Sequence, residues 1–372
     1  PSMKMTLNLE PGRVRPRPLV LKWTDGSGTR SIQIEFLNRL RHFEIKGRSE
    51  LEEHIFFAME GVIGAVNRVG EVDYYREFDS SVIDFRPQMV GGKTYYTLGM
   101  IKSANIDVNN VASHLIFDEK MKVVDRHERL VDSHEFLLLG RKHYLFTDYQ
   151  AHSRPGDEKC LLKQYLIEEK NGRDVYTLST DDLIAKRVLR DYWNEVPFNG
   201  RNCLKNAHLN GATVIDSNRW LVSVGDSAIF MWLKKERRAE WILGGDFDQF
   251  GLSPEQLTSL HHTPQWFDRS KSLLVFDNGR AKKKTRLLEY FLDLKNKKVR
   301  ELKVTLLENT YSYAGGSVER EGRVTSVGTG HWKSADHDFV EFVDDKVTMA
   351  IRFCTTCNDG RNYRIYRGKL RK

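Results

Sequence analysis

Long apolar runs are missing from this 372-residue chain. Nothing approaches the roughly 18 consecutive apolar residues of a membrane helix, so no segment is expected to span a bilayer. The first residues, Pro1-Ser-Met-Lys-Met5, also lack the apolar core of a signal peptide, which leaves periplasmic, secreted and cytoplasmic placements all open. Cysteine is scarce, and four residues cannot staple a fold of this size. Cys160 and Cys203 stand far apart in sequence. Cys354-Thr-Thr-Cys357 has CxxC spacing, but no second CxxC and no thioredoxin-like βαβ pattern accompanies it. It reads as a local disulfide or two thiols in a final hairpin rather than a zinc or redox centre. A concentrated basic stripe is lacking too. The net charge is +8, yet the basic residues are scattered, and the densest run (Lys282 to Arg286) falls between two strand patterns as a solvated turn. Nucleic acid is therefore not the expected partner, whereas a positive field suits a small anionic one.

Helical periodicity is nearly absent as well, and strand patterns fill the space. Runs of about five to eight apolar or alternating residues are broken by Asp, Asn and Gly turns. Examples are Leu19-Val-Leu-Lys-Trp23, His54-Ile-Phe-Phe-Ala-Met59 and Thr94-Tyr-Tyr-Thr-Leu98. Further on, Arg219-Trp-Leu-Val-Ser-Val224, Ala228-Ile-Phe-Met-Trp232 and Ala239-Glu-Trp-Ile-Leu243 make a strand-strand-strand module. Two more modules follow, beginning at Ser272 and Arg323. Modules of three or four antiparallel strands, recurring every ~50 to 60 residues, mark a β-propeller, and about six fit in this length. The expected architecture is thus all-β: a six-bladed β-propeller over residues 19–372, preceded by an N-terminal arm over 1–18. One helical insertion is expected over about 180–194, where Thr180-Asp-Asp-Leu carries a cap and acids in its first turn.

Three histidines stand at one register of these modules. His134 lies in Asp132-Ser-His-Glu-Phe136, His208 in Ala207-His-Leu-Asn210, and His262 in His261-His-Thr-Pro264, with a β-rich run resuming about a dozen residues after each. A side chain repeated at one register of a ring gathers at the axis. Alternation sends His261 and His262 to opposite faces, so only one of them can look into a channel. His42, His127 and His337 carry no motif and are expected at the surface. Leu243-Gly-Gly245 lacks the following helix of a phosphate loop and reads as a tight turn.

From Ala207 to Gly279 the chain resembles the arylsulfate sulfotransferase family of β-propellers. The matching elements are His208-Leu-Asn-Gly211, Leu221-Val-Ser-Val224, Trp241-Ile-Leu-Gly-Gly245, His261-His-Thr-Pro264 and Phe276-Asp-Asn-Gly279, with Asp132-Ser-His-Glu-Phe136 as an earlier motif. Weaker echoes are Phe85-Arg-Pro-Gln88 and Tyr363-Arg-Ile-Tyr-Arg367. The resemblance implies transfer of a sulfuryl group from a phenolic sulfate to another phenol without a nucleotide donor. It implies His262 as the covalent nucleophile, with His208 and His134 in support. An imidazole with an ordinary pKa of about 6.5 is a competent nucleophile near neutrality. The chain departs from the family where Leu221-Val-Ser-Val-Gly225-Asp226 holds no arginine to grip the sulfuryl oxygens. Arg86 is a candidate replacement. Asn210 and Asn278 read as residues that orient the histidines, and Tyr96, Tyr149, Tyr192 and Tyr313 as candidates to line an aromatic-substrate pocket. Trp193, Trp241 and Trp266 read as core or channel-wall aromatics. No cofactor or metal is expected, although three imidazoles could hold a divalent ion. A different reaction at the same histidines and a non-catalytic binding propeller are the other readings.

Overall fold

Every strand-forming run above has a partner in the computed structural model of the protein, which describes residues 19–25, 28–34, 44–59, 61–105, 109–153, 158–183, 194–198, 201–205, 208–225, 228–353 and 363–370. Six antiparallel sheets succeed one another as blades. Blade 1 holds His54–Met59, Val62–Val66 and Val72–Glu77, with Tyr366–Gly368 as its innermost strand. Blade 2 runs through Val82–Val90, Lys93–Asn105, Asn109–Phe117 and Val123–Asp132. Blade 3 is Phe136–Gly140, His143–His152, Cys160–Lys170 and Arg173–Ser179. Blade 4 is Leu209–Val214, Arg219–Val224, Ala228–Leu233 and Arg238–Leu243, and blade 5 is His261–Phe267, Ser272–Asp277, Arg286–Asp293 and Lys298–Leu306. Blade 6 holds Ser317–Glu321, Val324–Gly328, Phe339–Val343 and Lys346–Arg352, and adds Glu44–Gly47 at its outer edge. The fold is a six-bladed β-propeller with one turn of α-helix among the described residues.

The burial pattern explains why the middle strands are apolar at every position rather than at alternate ones. Arg219–Val224 and Ala228–Leu233 face a blade on either side, so each parity of the strand has its own core to enter. Trp220, Val222, Phe230 and Trp232 pack toward blade 3 with Leu145, Leu166 and Leu178. Leu221, Ile229 and Met231, one residue out of phase, pack toward blade 5 with Leu273, Val275 and Leu288. Four further clusters fill the remaining blade interfaces. The outer strand Lys298–Leu306 meets water and is mostly exposed.

Two ends of the chain close the ring. Tyr366 pairs with Phe56, which places a late segment inside blade 1, and Glu44 pairs with Arg352, which places an early segment on blade 6. Adjacent blades 6 and 1 are thereby each built from both ends.

Blade 3 carries the main irregularity. A hairpin of Asn194–Phe198 and Arg201–Lys205 docks beside it, with Cys203 opposite Cys160 in a short parallel pairing. The two cysteines form a disulfide with Cα atoms 4.4 Å apart, which sequence distance alone did not suggest. Where the long helix was expected, the described part is the single turn Thr180–Leu183, and its cap is Ser179, which exchanges hydrogen bonds with Asp182 in a capping box. The rest of that expected insertion, the N-terminal arm, His42, Tyr192, Trp193, Asp226, Cys354 and Cys357 lie outside the described residues.

Leu243-Gly-Gly245 is a turn, with both glycines at positive φ (82° and 67°). His127 is not at the surface: it is buried between blades 2 and 3, against Phe136, Tyr144 and Phe146, with Glu169 3.4 Å from its Nε2. Trp241 is a core residue, as its apolar setting requires.

Candidate functional site

The three histidines stand at the same end of three consecutive blades. His134 occupies the turn into blade 3, His208 immediately precedes blade 4, and His262 is the second residue of blade 5. Backbone bonds lock the last two blades together here: Gly225 N–H donates to His208 O, His261 N–H to Gly225 O, and Asn278 N–H to Leu260 O. Leu260 and Thr263 flank the histidine pair at φ values of 63° and 42°. Left-handed backbone at non-glycine residues costs about 1–3 kcal/mol and persists only where surroundings enforce it. Val318 N–H holds Thr263 through its hydroxyl, which supplies part of that enforcement. A bulge follows directly, between His262 and Gln265.

His134 and His208 meet directly. Their Nε2 atoms are 2.8 Å apart and their rings stand edge to face at 4.5 Å. Only one proton fits between two nitrogens at that distance, and the outer contacts say whose it is. Lys205 Nζ lies 3.5 Å from His208 Nδ1, and an ammonium can only donate. His208 therefore carries its proton on Nε2 and donates it to His134 Nε2. His134 in turn donates Nδ1–H to the Asp132 carboxylate at 2.6 and 2.8 Å. Lys205, His208, His134 and Asp132 form one oriented chain of hydrogen bonds. Burial, then the positive charge of Lys205, holds His208 well below the ordinary imidazole pKa. Both rings are nonetheless partly reached by solvent, so the place is a recess.

His262 is fixed differently. Its Nδ1 lies 2.7 Å from Asn278 Oδ1, and the Asn278 amide nitrogen donates to Ser312 O, Ser312 Oγ and Gly315 O. Two of those three are carbonyl oxygens, which can only accept. The orientation of the Asn278 amide is thus set, and its oxygen must receive the His262 Nδ1 proton. Burial, followed by the charge of Arg364, holds His262 well below the ordinary imidazole pKa. A neutral ring with its proton on Nδ1 presents a lone pair on Nε2, and no described residue bonds that atom.

Tyr363 joins the two halves. Its ring meets His134 at 6.0 Å and His262 at 6.3 Å, both edge to face, and His331 at 6.1 Å. It precedes the innermost strand of blade 1, so a fourth blade contributes at the same level.

One residue deeper along the same strands the chemistry changes. Glu135 accepts from Arg86, from Arg364 Nη1 at 3.3 Å and from the Ala212 N–H at 3.2 Å. Arg364 Nη2 donates to Asn210 O at 2.6 Å, and the Tyr366 hydroxyl donates to Asp84 at 2.7 Å. Burial pushes the Glu135 pKa up, but Arg86 and Arg364 outweigh it and hold the carboxyl below its usual value. Two arginines face two carboxyl groups, and the layer is balanced.

The other expected site residues separate accordingly. Arg86 belongs to this lower layer, tied to Glu135 and lying 4.5 Å over the Tyr366 ring, and does not stand beside the imidazoles. Asn210 is fully buried, donating to His261 O and accepting from Ser223 Oγ, so it braces the backbone before His262. Tyr96 is fully buried among Phe56 and Phe85, with its hydroxyl on Lys369 O, and is core rather than pocket wall. Tyr313 is half-buried at the rim, 6.0 Å from His331 with Lys333 over its face. His261 is fully buried and bonded to Thr258, on the other side of the strand from His262. Among the described residues no group of His, Cys, Asp or Glu is arranged to hold a metal ion. Residues missed as site residues are Asp132, Lys205, Tyr363 and Arg364, although Tyr363-Arg-Ile-Tyr-Arg367 stood out as a motif.

Comparison with known proteins gives fold neighbours and nothing narrower. No family model and no curated protein matches the chain. Solved structures it resembles include the WD40 β-propeller domain of Doa1, at 11% identity over 89% of this chain and 88% of that one, TM-score 0.43. BamB from Moraxella catarrhalis matches at 10% identity over 87% and 81%, TM-score 0.34, and the C-terminal WD40 domain of Sif2 at 7% over 88% and 90%, TM-score 0.43. The class rests on the strand pairing itself: a six-bladed β-propeller with a histidine-lined recess at one end of its channel.

Proposed function

We propose that the protein is a transferase that moves a sulfuryl group between phenolic compounds through a covalent adduct on His262 Nε2. The observation that carries this reading is the fixed tautomer of His262: Asn278 holds the Nδ1 proton, and the lone pair is left on an unbonded nitrogen. In the first half-reaction Nε2 attacks the sulfur of an aryl sulfate, and the sulfur–oxygen bond to the phenol breaks with its electron pair on the phenolate. The adduct places positive charge on the ring, which strengthens the Nδ1–H bond to Asn278. His208 gives its Nε2 proton to the departing phenolate and takes one on Nδ1 from Lys205. In the second half-reaction an incoming phenol returns that proton along the same path while its oxygen attacks sulfur and frees His262. Acid–base help of this type is worth roughly 10²–10⁴-fold.

The test is incubation with 4-nitrophenyl sulfate and a phenol acceptor, followed by peptide mass spectrometry. The expected results are nitrophenol release, a peptide containing His262 heavier by one SO3, and loss of both in His262→Asn. No release by the wild-type protein, or release that survives His262→Asn, removes the reading.

A further inference from the structure

Around the imidazoles, buried hydrogen-bond donors stand without acceptors. The Tyr149 and Tyr363 hydroxyls and Arg364 Nε are each shielded from solvent and bonded to nothing. Tyr149 is 6% exposed, Tyr363 7% and Arg364 0%. Gln164 lies beside the Tyr149 hydroxyl, with its amide bonded to Leu209 at both ends. A buried hydroxyl without a partner is destabilising, and folded proteins leave few of them.

The rings themselves are held firmly, so the hydroxyls cannot swing away to find partners. Tyr149 is backed by Cys160, Leu162, Val196 and Cys203, and Lys205 Nζ lies 4.9 Å above its ring. Tyr363 lies 4.9 Å from the Arg364 guanidinium and against Gly315, where any side chain would collide with its carbonyl oxygen and ring. Both phenols are near Asp132, and Tyr149 is near enough to Tyr363 to sense its charge. Burial is the first cause that pushes both pKa values upward, so each keeps its proton and acts as a donor. Lys205 and Arg280 add positive potential beside His208, and Arg364 adds it beside His262.

We infer that the Tyr149 and Tyr363 hydroxyls, with Lys205, form a binding site for a tetrahedral oxyanion beside His262. The missing partner must bring several acceptors, because what waits for it is a set of donors, with Lys205 and Arg364 supplying positive charge and Asp132 opposing it. A tetrahedral oxyanion answers that description. A phenolic ring alone does not, and neither does a cation. The site is made from blades 1 and 3. The inference rests on the proposed transfer only for the identity of the group as sulfuryl; the anion site itself is testable without turnover.

The experiment is isothermal titration of the whole protein with sodium sulfate, with sodium phosphate and with sodium chloride at constant ionic strength. It is repeated on Tyr149→Phe, Tyr363→Phe and the double variant, with thermal melts to establish that each is folded. Sulfate should bind the wild type and chloride should not. Each single variant should weaken sulfate about tenfold or more, and the double variant further, since each loses one bond to a charged acceptor. Absence of sulfate and phosphate binding in the folded wild type overturns the inference, as does binding that both Phe variants retain unchanged. Sulfate binding with the expected losses but no sulfated His262 peptide leaves the anion site standing and removes the transferase reading. Phosphate bound more tightly than sulfate, with the same losses, upholds the oxyanion site and assigns it to phosphoryl chemistry.

Discussion

Two layers of the same channel, one residue apart along the same strands, are built on opposite terms. In the lower layer Arg86, Arg364, Glu135, Asp84 and Tyr366 answer one another, with Arg364 Nε alone among them left over. In the upper layer His262, Tyr363 and Tyr149 each keep a polar atom with no protein partner. The alternation of a strand makes this possible, since His134 and Glu135, or Tyr363 and Arg364, are neighbours in sequence but enter different levels. A closed network stabilises the ring, and an open one waits for something from outside.

The sharpest way to break this comparison is Glu135→Ala. It leaves two buried guanidinium groups without their shared carboxylate and should cost about 3–5 kcal/mol in urea denaturation. A loss below about 1 kcal/mol would mean that the lower layer is not the structural one. Removing the Cys160–Cys203 disulfide by Cys203→Ser should cost about 2–4 kcal/mol, as its loop spans 43 residues. Activity should fall further than stability accounts for, because Lys205 and His208 follow Cys203 directly. Acid comes next. Burial is the first cause holding the His114 and His261 pKa values at about 3, below the unfolded value of about 6.5. The unfolded chain therefore takes up protons first, so stability is full above pH 6.5 and falls as pH drops toward 3. Between pH 6.5 and 5.5 each should remove about 1 kcal/mol, read as a falling melting temperature. A flat melting profile across that window would show that these rings are not held neutral. Asn278→Ala should cost about 1–2 kcal/mol in denaturation, and the yield of sulfated His262 should fall more than tenfold as the tautomer is released. The smallest expected effect is the most discriminating. Tyr363→Phe should leave the melting temperature unchanged or slightly raised, because it deletes a hydroxyl with no protein partner. A large destabilisation would place Tyr363 with the structural layer instead.

The sequence made the ring and its histidines legible for one physical reason: a blade repeats, and a repeat returns side chains to one register. His134, His208 and His262 all fall at the start of an innermost strand, as their shared spacing required. What escaped has no periodic signature. The Cys160–Cys203 bond depends on a hairpin that docks in parallel across a gap of 43 residues, and spacing says nothing about docking. Tyr96 and Tyr149 look alike as strand tyrosines, yet one hydroxyl meets the Lys369 carbonyl and the other meets nothing, a difference set by segments far away in the chain. Arg86 could be named as a cation but not as one already neutralised, since Glu135 reaches it from the next blade. His127 has no motif, and its burial follows from blade packing alone.

The strand Tyr366–Gly368 enters blade 1 after every other blade has been laid down in sequence order. It brings Tyr363 and Arg364 with it, so completing the circle and completing the chemistry are a single event. A propeller lacking this last stave would be open-sided and would also lack Tyr363 and Arg364. No half-assembled intermediate can carry the full set of imidazoles and phenols that the closed ring brings together.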